Sequence, residues 1–258
     1  MHGVVPDRPE AVYFFATCLV DLFYPQAGLA GMELLRRQGM RVVFPPAQSC
    51  CGQPARNNGW YDEARAVARR QLASFPKPIP IVVPSGSCAG MMREHYPELF
   101  AGQPDEAEAK AFSARVYELT WFLVHVCKLN LTDCGQPVTV AFHGSCHSQR
   151  EMGVREEPKQ LLRSLANVTV AELQRPGECC GFGGTFSVRQ PEISAAMVAD
   201  KIADIAAVGA TEILSGDCGC LMNISGALDK RGAPVKARHI AEFLLERSAV
   251  AGASPSSP

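Results

Sequence analysis

Nine of the eleven cysteines fall into two nearly superimposable sets, and this repeat limits the possible folds of the 258-residue chain more than any other feature. The first set consists of Cys18, Cys50, Cys51 and Cys88. The second set consists of Cys146, Cys179, Cys180 and Cys218, with Cys220 two residues further on. Corresponding cysteines are separated by 128 to 130 residues. The chain is therefore predicted to contain two copies of one structural unit, in domains at about residues 1–130 and 131–258.

Short β-branched runs alternate with helical patterns in both copies. The first copy has predicted strands at 12–15, 41–44 and 79–83 and predicted helices at 29–37 and 61–74. The second copy has predicted strands at 138–142, 168–171 and 212–214 and predicted helices at 159–165 and 192–208. Such alternation is typical of parallel βαβ units. We expect an α/β fold with two pseudo-twofold-related lobes, followed by a disordered tail at 251–258 that is rich in serine and proline.

The cysteines of each copy follow the ends of predicted strands. Cys18 follows the first strand of the first copy, and Cys146 follows the first strand of the second. Open α/β sheets collect their ligands at the carboxyl ends of their strands. We therefore expect the cysteines of each copy to converge on one thiol-rich site.

The bulk properties exclude several classes of function. The formal net charge is −1, so we expect no nucleic-acid partner and no attraction to an anionic membrane. The apolar stretch at 11–20 is too short to cross a bilayer, and it lacks the basic start and the cleavage site of a signal peptide. We expect a soluble, cytoplasmic protein without membrane insertion. In a reducing compartment, eleven cysteines indicate metal or redox chemistry rather than a disulfide framework.

Adjacent cysteines favour an iron–sulfur cluster. Two neighbouring thiols cannot easily form a disulfide with each other, but as thiolates they can bind neighbouring irons of one cluster. Gly52 and Gly181, which follow the two pairs, remove a Cβ where the backbone passes close to a bulky inorganic core. A structural zinc site also takes four cysteines, but usually as closely spaced pairs that neither copy has. Zinc and plain buried or redox-active thiols are the alternatives.

The motif Cys-x31-Cys-Cys-x36-Cys, with glycine directly after the pair, resembles the cysteine-rich CCG domain found in heterodisulfide reductase and in the iron–sulfur subunit of glycolate oxidase. The resemblance extends over nearly the whole chain, and it is most specific in the segments 84–91, 179–187 and 220–224. It implies one iron–sulfur cluster of the [4Fe-4S] type in each domain. The ligands that it implies are Cys18, Cys50, Cys51, Cys88, Cys146, Cys179, Cys180 and Cys220.

The compact length makes the chain most similar to the iron–sulfur subunits of L-lactate oxidation complexes. This resemblance implies electron transfer during the oxidation of L-lactate to pyruvate, by one subunit of an oxidoreductase complex rather than by a complete enzyme. The implied partners are two other lactate-utilisation subunits, an iron–sulfur ferredoxin-type protein and a small companion protein. The alternatives are a disulfide-cleaving subunit like that of heterodisulfide reductase, and a structural zinc or thiol-sensing module.

The fourth ligand of each site departs from the family pattern. In heterodisulfide reductase each copy ends with Cys-x-x-Cys, but here Met91 and Leu221 stand where the second of these cysteines would be. The internal repeat aligns Cys218 with Cys88, whereas the family resemblance favours Cys220. We expect Cys220 to be the ligand and Cys218 to be a spare or fifth one.

Two histidines and two cysteines need a separate interpretation. His143 and His147 flank Cys146, and we expect them to form hydrogen bonds near the cluster or to pack in the core. Cys127 and Cys134 lie outside both sets and are predicted to be buried apolar thiols.

Overall fold

The computed structural model describes residues 5–248, and the tail at 251–258, predicted to be disordered, lies outside the described residues. The described chain forms two lobes, each with a four-stranded sheet covered by helices. The first sheet contains β1 (Ala11–Phe14), β2 (Arg41–Val43), β3 (Ile81–Val83) and β4 (Val116–Glu118). The second sheet contains β5 (Val138–His143), β6 (Val168–Ala171), β7 (Glu212–Ser215) and β8 (Lys236–His239).

Helices connect the strands of each lobe. The first lobe has α1 (Cys18–Phe23), α2 (Pro25–Arg37), α3 (Gln53–Asn57), α4 (Tyr61–Ser74), α5 (Gly86–Gly90), a π-helical segment (Met91–His95), α6 (Tyr96–Leu99), α7 (Glu106–Ser113) and α8 (Leu119–His125). The second lobe has α9 (Cys146–Arg150), α10 (Glu157–Arg163), α11 (Phe186–Arg189), α12 (Pro191–Ala207), α13 (Cys218–Lys230) and α14 (Ile240–Arg247). Within residues 5–248, no helix combines the length and apolarity needed to cross a membrane.

The two sheets have the same topology. Their strand orders are β2-β1-β3-β4 and β6-β5-β7-β8, and every pairing is parallel. The predicted α/β fold with two similar lobes, each with three parallel strands in the same order, is confirmed. Each sheet also has a fourth strand that the sequence pattern does not reveal. β4 and β8 are short and run directly into α8 and α14, so their residues resemble the start of a helix.

Helix packing between the lobes follows a pseudo-twofold relation. α2 of the first lobe packs on α14 of the second, and the corresponding helix α10 of the second lobe packs on α8 of the first. In the same way α5 contacts α9, while α13 contacts α1. Exchanging the lobes converts each contact into its counterpart, as in a symmetric dimer interface. The internal repeat therefore generates both the lobes and the surfaces that join them.

One hydrophobic core extends across both lobes. It contains Phe14 and Phe75 of the first lobe together with Leu214 and Phe243 of the second, all buried. A smaller apolar cluster around Ile205 packs within the second lobe. Since apolar burial drives folding, a core shared in this way holds the two lobes as one unit and fixes the edges of the two sheets relative to each other.

A buried carboxyl group and a buried imidazole have equivalent positions in the two lobes. Glu118 ends β4 and caps α8, and its Oε2 accepts hydrogen bonds from Thr120 Oγ1 at 2.5 Å and from Trp121 N at 3.0 Å. His239 ends β8 and caps α14, and its Nε2 lies 2.8 Å from the carbonyl oxygen of Pro84. Burial raises the pKa of Glu118 to about 7.

Glu118→Gln is expected to weaken the pH dependence of stability. In the unfolded chain the carboxyl loses its proton near pH 4.5, whereas the folded protein keeps it until about pH 7. The folded state therefore binds more protons between these values, and wild-type stability falls as the pH rises through this window. The difference corresponds to about 3 kcal/mol of unfolding free energy. Urea denaturation at about pH 5 and pH 8 measures it, with exposed Glu63→Gln as the control; an unchanged pH dependence in Glu118→Gln would contradict it.

Candidate metal centre

The first set of cysteines converges at the carboxyl edge of the first sheet. Cys18 begins α1 after β1, and Cys88 lies in α5 after β3. The pair Cys50–Cys51 lies in the loop between β2 and α3. Neighbouring thiols interact in the order Cys18, Cys50, Cys51 and Cys88, and a hydrogen bond joins the last two with 3.4 Å between their Sγ atoms. Four thiols from distant parts of the sequence thus form one group, because parallel strands end at the same edge.

The second set has the same arrangement in the second lobe. Cys146 begins α9 after β5, the pair Cys179–Cys180 follows β6, and Cys220 lies in α13 after β7. Neighbouring thiols interact in the order Cys146, Cys179, Cys180 and Cys220, as the shifts in their pKa values indicate. The structure therefore brings together both of the four-thiol groups expected from the sequence. Their role as metal ligands stays a prediction.

The start of α13 explains why Cys220 is the structural counterpart of Cys88. α5 begins at Gly86 and α13 begins at Cys218, so Cys88 and Cys220 are each the third residue of their helix. Cys218 therefore corresponds to Gly86. The alignment of Cys218 with Cys88 from the cysteine spacing is wrong by two residues, because the second copy is longer before this helix than the first.

Cys218 lies close to both thiol groups, since Cys88 of the first and Cys220 of the second both act on it. It is 1% exposed and lines the same cavity as the two thiol groups. Burial raises the pKa of Cys218, and the nearby carboxylates of Asp217 and Glu242 raise it further.

Both thiol groups line one cavity of about 180 Å³ at the boundary between the lobes. The loop at 182–185 forms part of its wall. Asp217 connects the lobes at this point: its Oδ2 accepts a hydrogen bond from Ser87 N at 2.9 Å, and its Oδ1 accepts one from Ser87 Oγ at 3.1 Å. The two candidate sites thus face a common space rather than opposite sides of the molecule.

The first cysteine of each adjacent pair is the most acidic thiol of its group. Hydrogen bonds from Cys18 and Cys51 lower the pKa of Cys50 to about 3. Hydrogen bonds from Cys146 and Cys180 lower the pKa of Cys179 to about 2. Because metals bind the thiolate form, the first cysteine of each pair is the favoured thiolate, and the other thiols release protons when a metal binds.

The glycine after each pair has a left-handed backbone conformation. Gly52 has φ +85° and Gly181 has φ +82°. A Cβ on Gly181 would lie 2.7 Å from the carbonyl oxygen of Ser194 and 3.0 Å from Met197 Cβ, both in α12. Glycine is therefore required for the backbone conformation and for close approach to the helix.

Gly181→Ala is expected to destabilise the protein more than Gly209→Ala. Gly209 also has a positive φ, +66°, but no atom lies within 4 Å of its Cβ position. Both variants lose about 1–2 kcal/mol through the left-handed conformation. In Gly181→Ala the new Cβ also overlaps with α12, which lowers the unfolding free energy by about 1–3 kcal/mol more. Chemical denaturation under anaerobic conditions measures the difference, and equal losses in the two variants would contradict the proposed steric contact.

The two histidines near the second thiol group have different environments. His143 ends β5 and is 1% exposed, and one of its ring nitrogens lies within 4.8 Å of the Sγ atoms of Cys180 and Cys220. Burial lowers the pKa of His143 to about 4, so its ring is neutral near pH 7. His147 is half-buried, with Nδ1 at 3.4 Å from Cys146 Sγ.

The two cysteines outside both sets differ from each other. Cys127 is buried as predicted, but Cys134 is exposed, so the prediction of a buried thiol is wrong for Cys134. Its Sγ donates a hydrogen bond to the carbonyl oxygen of Arg247 at 3.2 Å. Cys134 belongs to the segment that connects α8 to β5, which runs over the surface.

Thr17 is a residue of the site that the sequence did not indicate. It precedes Cys18 with φ +66°, which is unusual for a residue that is not glycine, and it lines the cavity. Its Oγ1 accepts a hydrogen bond from Val20 N at 3.3 Å and caps α1. A threonine followed by a helix is a common capping pattern, but nothing in the sequence indicates the strained backbone that positions Cys18.

The donor set fits an iron–sulfur cluster. Each group offers four sulfur atoms, the usual number for such clusters. All eleven cysteines lie within the described residues, and all are free thiols. In each group the thiols are joined in one chain of contacts, and in each pair one is already acidic. Four thiols also suit zinc, so the number of donors indicates a metal centre but does not identify the metal.

A model of the cysteine-rich domain CCG matches the chain twice, at residues 12–93 and 140–225. The first match contains all four thiols of the first group, and the second contains all four of the second together with Cys218. Each match also includes the first three strands of its lobe, in whole or in large part. The repeat seen in the cysteines is thus a repeat of one domain.

Curated proteins of several bacteria are similar to the chain over most of its length. Lactate utilization protein A of Geobacillus sp. (strain WCH70) is 46% identical over 92% of this chain and 99% of its own. The protein of that name from Geobacillus kaustophilus is 44% identical, again over 92% of this chain and 99% of its own. Among solved structures, a hypothetical protein from Helicobacter pylori has a TM-score of 0.65 at 9% identity, covering 94% of this chain and 50% of its own. That likeness concerns the fold alone.

Proposed function

The chain belongs to the cysteine-rich CCG domain family, with one copy of the domain in each lobe, and on this premise we propose that it is an iron–sulfur electron-transfer subunit in lactate utilisation. It acts in a cytoplasmic complex that oxidises L-lactate to pyruvate, with one [4Fe-4S] cluster held by each thiol group. The name of the similar curated proteins, lactate utilization protein A, supports the substrate. The observation that carries the iron–sulfur proposal is the convergence of two four-thiol groups on one cavity.

The placement of the two groups supports electron transfer between them. Both line one cavity of about 180 Å³, so the centres that they would hold face one gap between the lobes. Ser87 and Asp217 join the lobes beside this gap and hold its width through two hydrogen bonds. The thiol groups supply the ligands, and the shared core of the lobes keeps the distance between them constant.

The surface next to the cavity supports docking of a partner protein. Asn58 Nδ2 of the first lobe donates a hydrogen bond to Thr185 Oγ1 of the second at 3.0 Å. Trp60 and Val188 lie two or three residues from this contact, and they are 61% and 80% exposed. Large exposed apolar side chains beside a redox site are typical of a docking face. We propose that this face, around Trp60 and Val188, binds one of the two partner subunits, the ferredoxin-type iron–sulfur protein; the second partner is the small companion protein.

Anaerobic purification tests the proposed cofactor. The protein is expected to be brown and to contain iron and acid-labile sulfide in similar amounts, in two clusters per chain. A colourless protein that contains zinc and no sulfide would contradict the proposal and support the structural zinc module. EPR of the reduced protein then determines whether each cluster is of the [4Fe-4S] type.

A disulfide-cleaving activity is the second candidate function, and the shared cavity favours it. A substrate disulfide bound there would contact both thiol groups at once. Met91 and Leu221 stand in place of the additional cysteines of the heterodisulfide reductase pattern, which counts against this activity. Incubation with small disulfides and excess reductant distinguishes the two functions, because an electron-transfer subunit alone is expected to release no more thiol than stoichiometric exchange with exposed Cys134 gives.

A further inference from the structure

A buried imidazole without a partner faces the second thiol group. His143 is 1% exposed, and neither ring nitrogen has a hydrogen-bond partner among the residues that the structure describes. One of these nitrogens lies within 4.8 Å of the Sγ atoms of Cys180 and Cys220. A buried polar group that lacks a partner is destabilising, so its presence calls for an explanation.

The first lobe has a phenyl ring at the equivalent position. His143 ends β5 and Phe15 directly follows β1, and each lies three residues before the first cysteine of its thiol group. Phe15 is fully buried and packs against Phe75 with 5.8 Å between ring centroids. An apolar ring therefore fills this place in the fold without any unsatisfied nitrogen. Packing alone does not account for the imidazole in the second lobe.

A second difference between the lobes places a charge near the same site. Lys201 in α12 is fully buried, with Nζ at 3.6 Å from Asp204 Oδ2 and 2.8 Å from the carbonyl oxygen of Arg175. Gln71, also fully buried in the corresponding helix α4, carries no charge. The positive charge of Lys201 acts on His143 and on Cys220. Lys201 thus adds a charge that the first site lacks, opposed by the carboxylates of Asp204 beside it and of Asp217 near Cys220.

We propose that His143 donates an N–H hydrogen bond to a sulfur of the cluster held by the second thiol group, and that the second cluster is therefore easier to reduce than the first. This inference rests on the iron–sulfur function proposed above. A hydrogen bond to a cluster sulfur stabilises the reduced, more negative state and raises the reduction potential. The neutral imidazole has one N–H to donate, and the phenyl ring of Phe15 has none. Electrons entering at the first cluster then pass to the second, and His143 is a positioning residue that sets this direction.

The test measures each cluster separately. Cys50→Ser is used as the background that keeps only the second cluster, and Cys179→Ser as the background that keeps only the first. Anaerobic redox titration followed by EPR is expected to give a higher midpoint potential for the second cluster than for the first. In the Cys50→Ser background, His143→Phe copies the first lobe and is expected to lower the midpoint potential. A tenfold change in the reduction equilibrium appears as a shift of about 59 mV for one electron.

Two further variants serve as controls. His143→Asn keeps an N–H donor and is expected to retain part of the higher potential, whereas His125→Gln changes a half-buried histidine that pairs with Glu157 and is expected to leave the potential unchanged. Pulsed EPR is expected to detect weak coupling to a histidine nitrogen that disappears in His143→Phe.

The outcomes separate this inference from the proposed function. An unchanged midpoint potential in His143→Phe, with iron content retained, overturns the hydrogen bond but not the iron–sulfur assignment. If the protein with His143 shows strong coupling to a histidine nitrogen and His143→Phe loses the cluster, His143 is an iron ligand. That result also overturns the proposed hydrogen bond. A wild-type protein without iron and sulfide would contradict the proposed function itself.

Discussion

Cys220→Ala is expected to remove the second cluster and to lower the iron and sulfide content to about half of the wild-type value. Cys220 is the fourth member of the thiol group that begins at Cys146, and its Sγ contacts Cys180. Cys218 is in the same helix and is buried as well, but its counterpart in the first lobe is Gly86, not a cysteine. Cys218→Ala is therefore a matched control and is expected to keep the full iron content.

Iron and acid-labile sulfide per chain are measured on anaerobically purified proteins. Circular dichroism and thermal unfolding show whether both variants are folded, since truncating a buried side chain can destabilise a core. Loss of iron in Cys218→Ala with retention in Cys220→Ala would reverse the ligand assignment. Loss of the second cluster in both variants would mean that the site uses five thiolates.

The overall architecture follows from the sequence because the repeat and the periodicity depend on local patterns. Predicted strands and helices agree with β1, β2, β3 and their counterparts and with helices such as α4 and α12. The strands β4 and β8 were missed since three or four residues carry too little alternation to be distinguished from the adjoining helix. The docking of the lobes depends on contacts between distant helices, which sequence periodicity does not report.

Convergence of the thiols could be predicted, but the details of the site could not. A parallel sheet places the residues after its strands at one edge, so the spacing of Cys18, Cys50 and Cys88 was informative. The choice between Cys218 and Cys220 depends on where α13 begins, and the cysteine spacing alone misplaces that point by two residues. The position of His143 near Cys146 indicates a place close to the second site, but its full burial without a hydrogen-bond partner is visible only in the structure.

The two halves of a repeat can differ in function because the fold constrains the shape of a side chain more than its chemistry. The end of the first strand requires an apolar or planar side chain, and either Phe15 or His143 meets that requirement. The chemistry that the side chain offers to the neighbouring thiol group is then free to differ. A duplicated domain can thus provide two similar ligand sets with unequal surroundings, which is what directional electron transfer requires.

Cys50→Ser and Cys179→Ser are each expected to abolish growth on L-lactate in a strain whose own copy of the gene has been deleted. Each change removes the acidic thiol of one group, and with it the cluster of that lobe. If electrons pass through both clusters in sequence, loss of either one blocks the oxidation of lactate. Cys134→Ser, which changes an exposed thiol outside both groups, is expected to restore growth fully. Growth on pyruvate controls for general fitness.

The two variants together also test whether both clusters lie on the electron path. Iron content must be measured in parallel, and each variant is expected to retain the cluster of the unaltered lobe because the other thiol group is intact. If Cys179→Ser lacks its cluster but supports growth like the wild type, the second cluster is not needed to carry electrons from lactate. If both variants behave in this way, the proposed role in lactate oxidation fails, although the protein still binds iron and sulfide. Failure of both variants to grow, with one cluster retained in each, is the result that a two-centre relay requires.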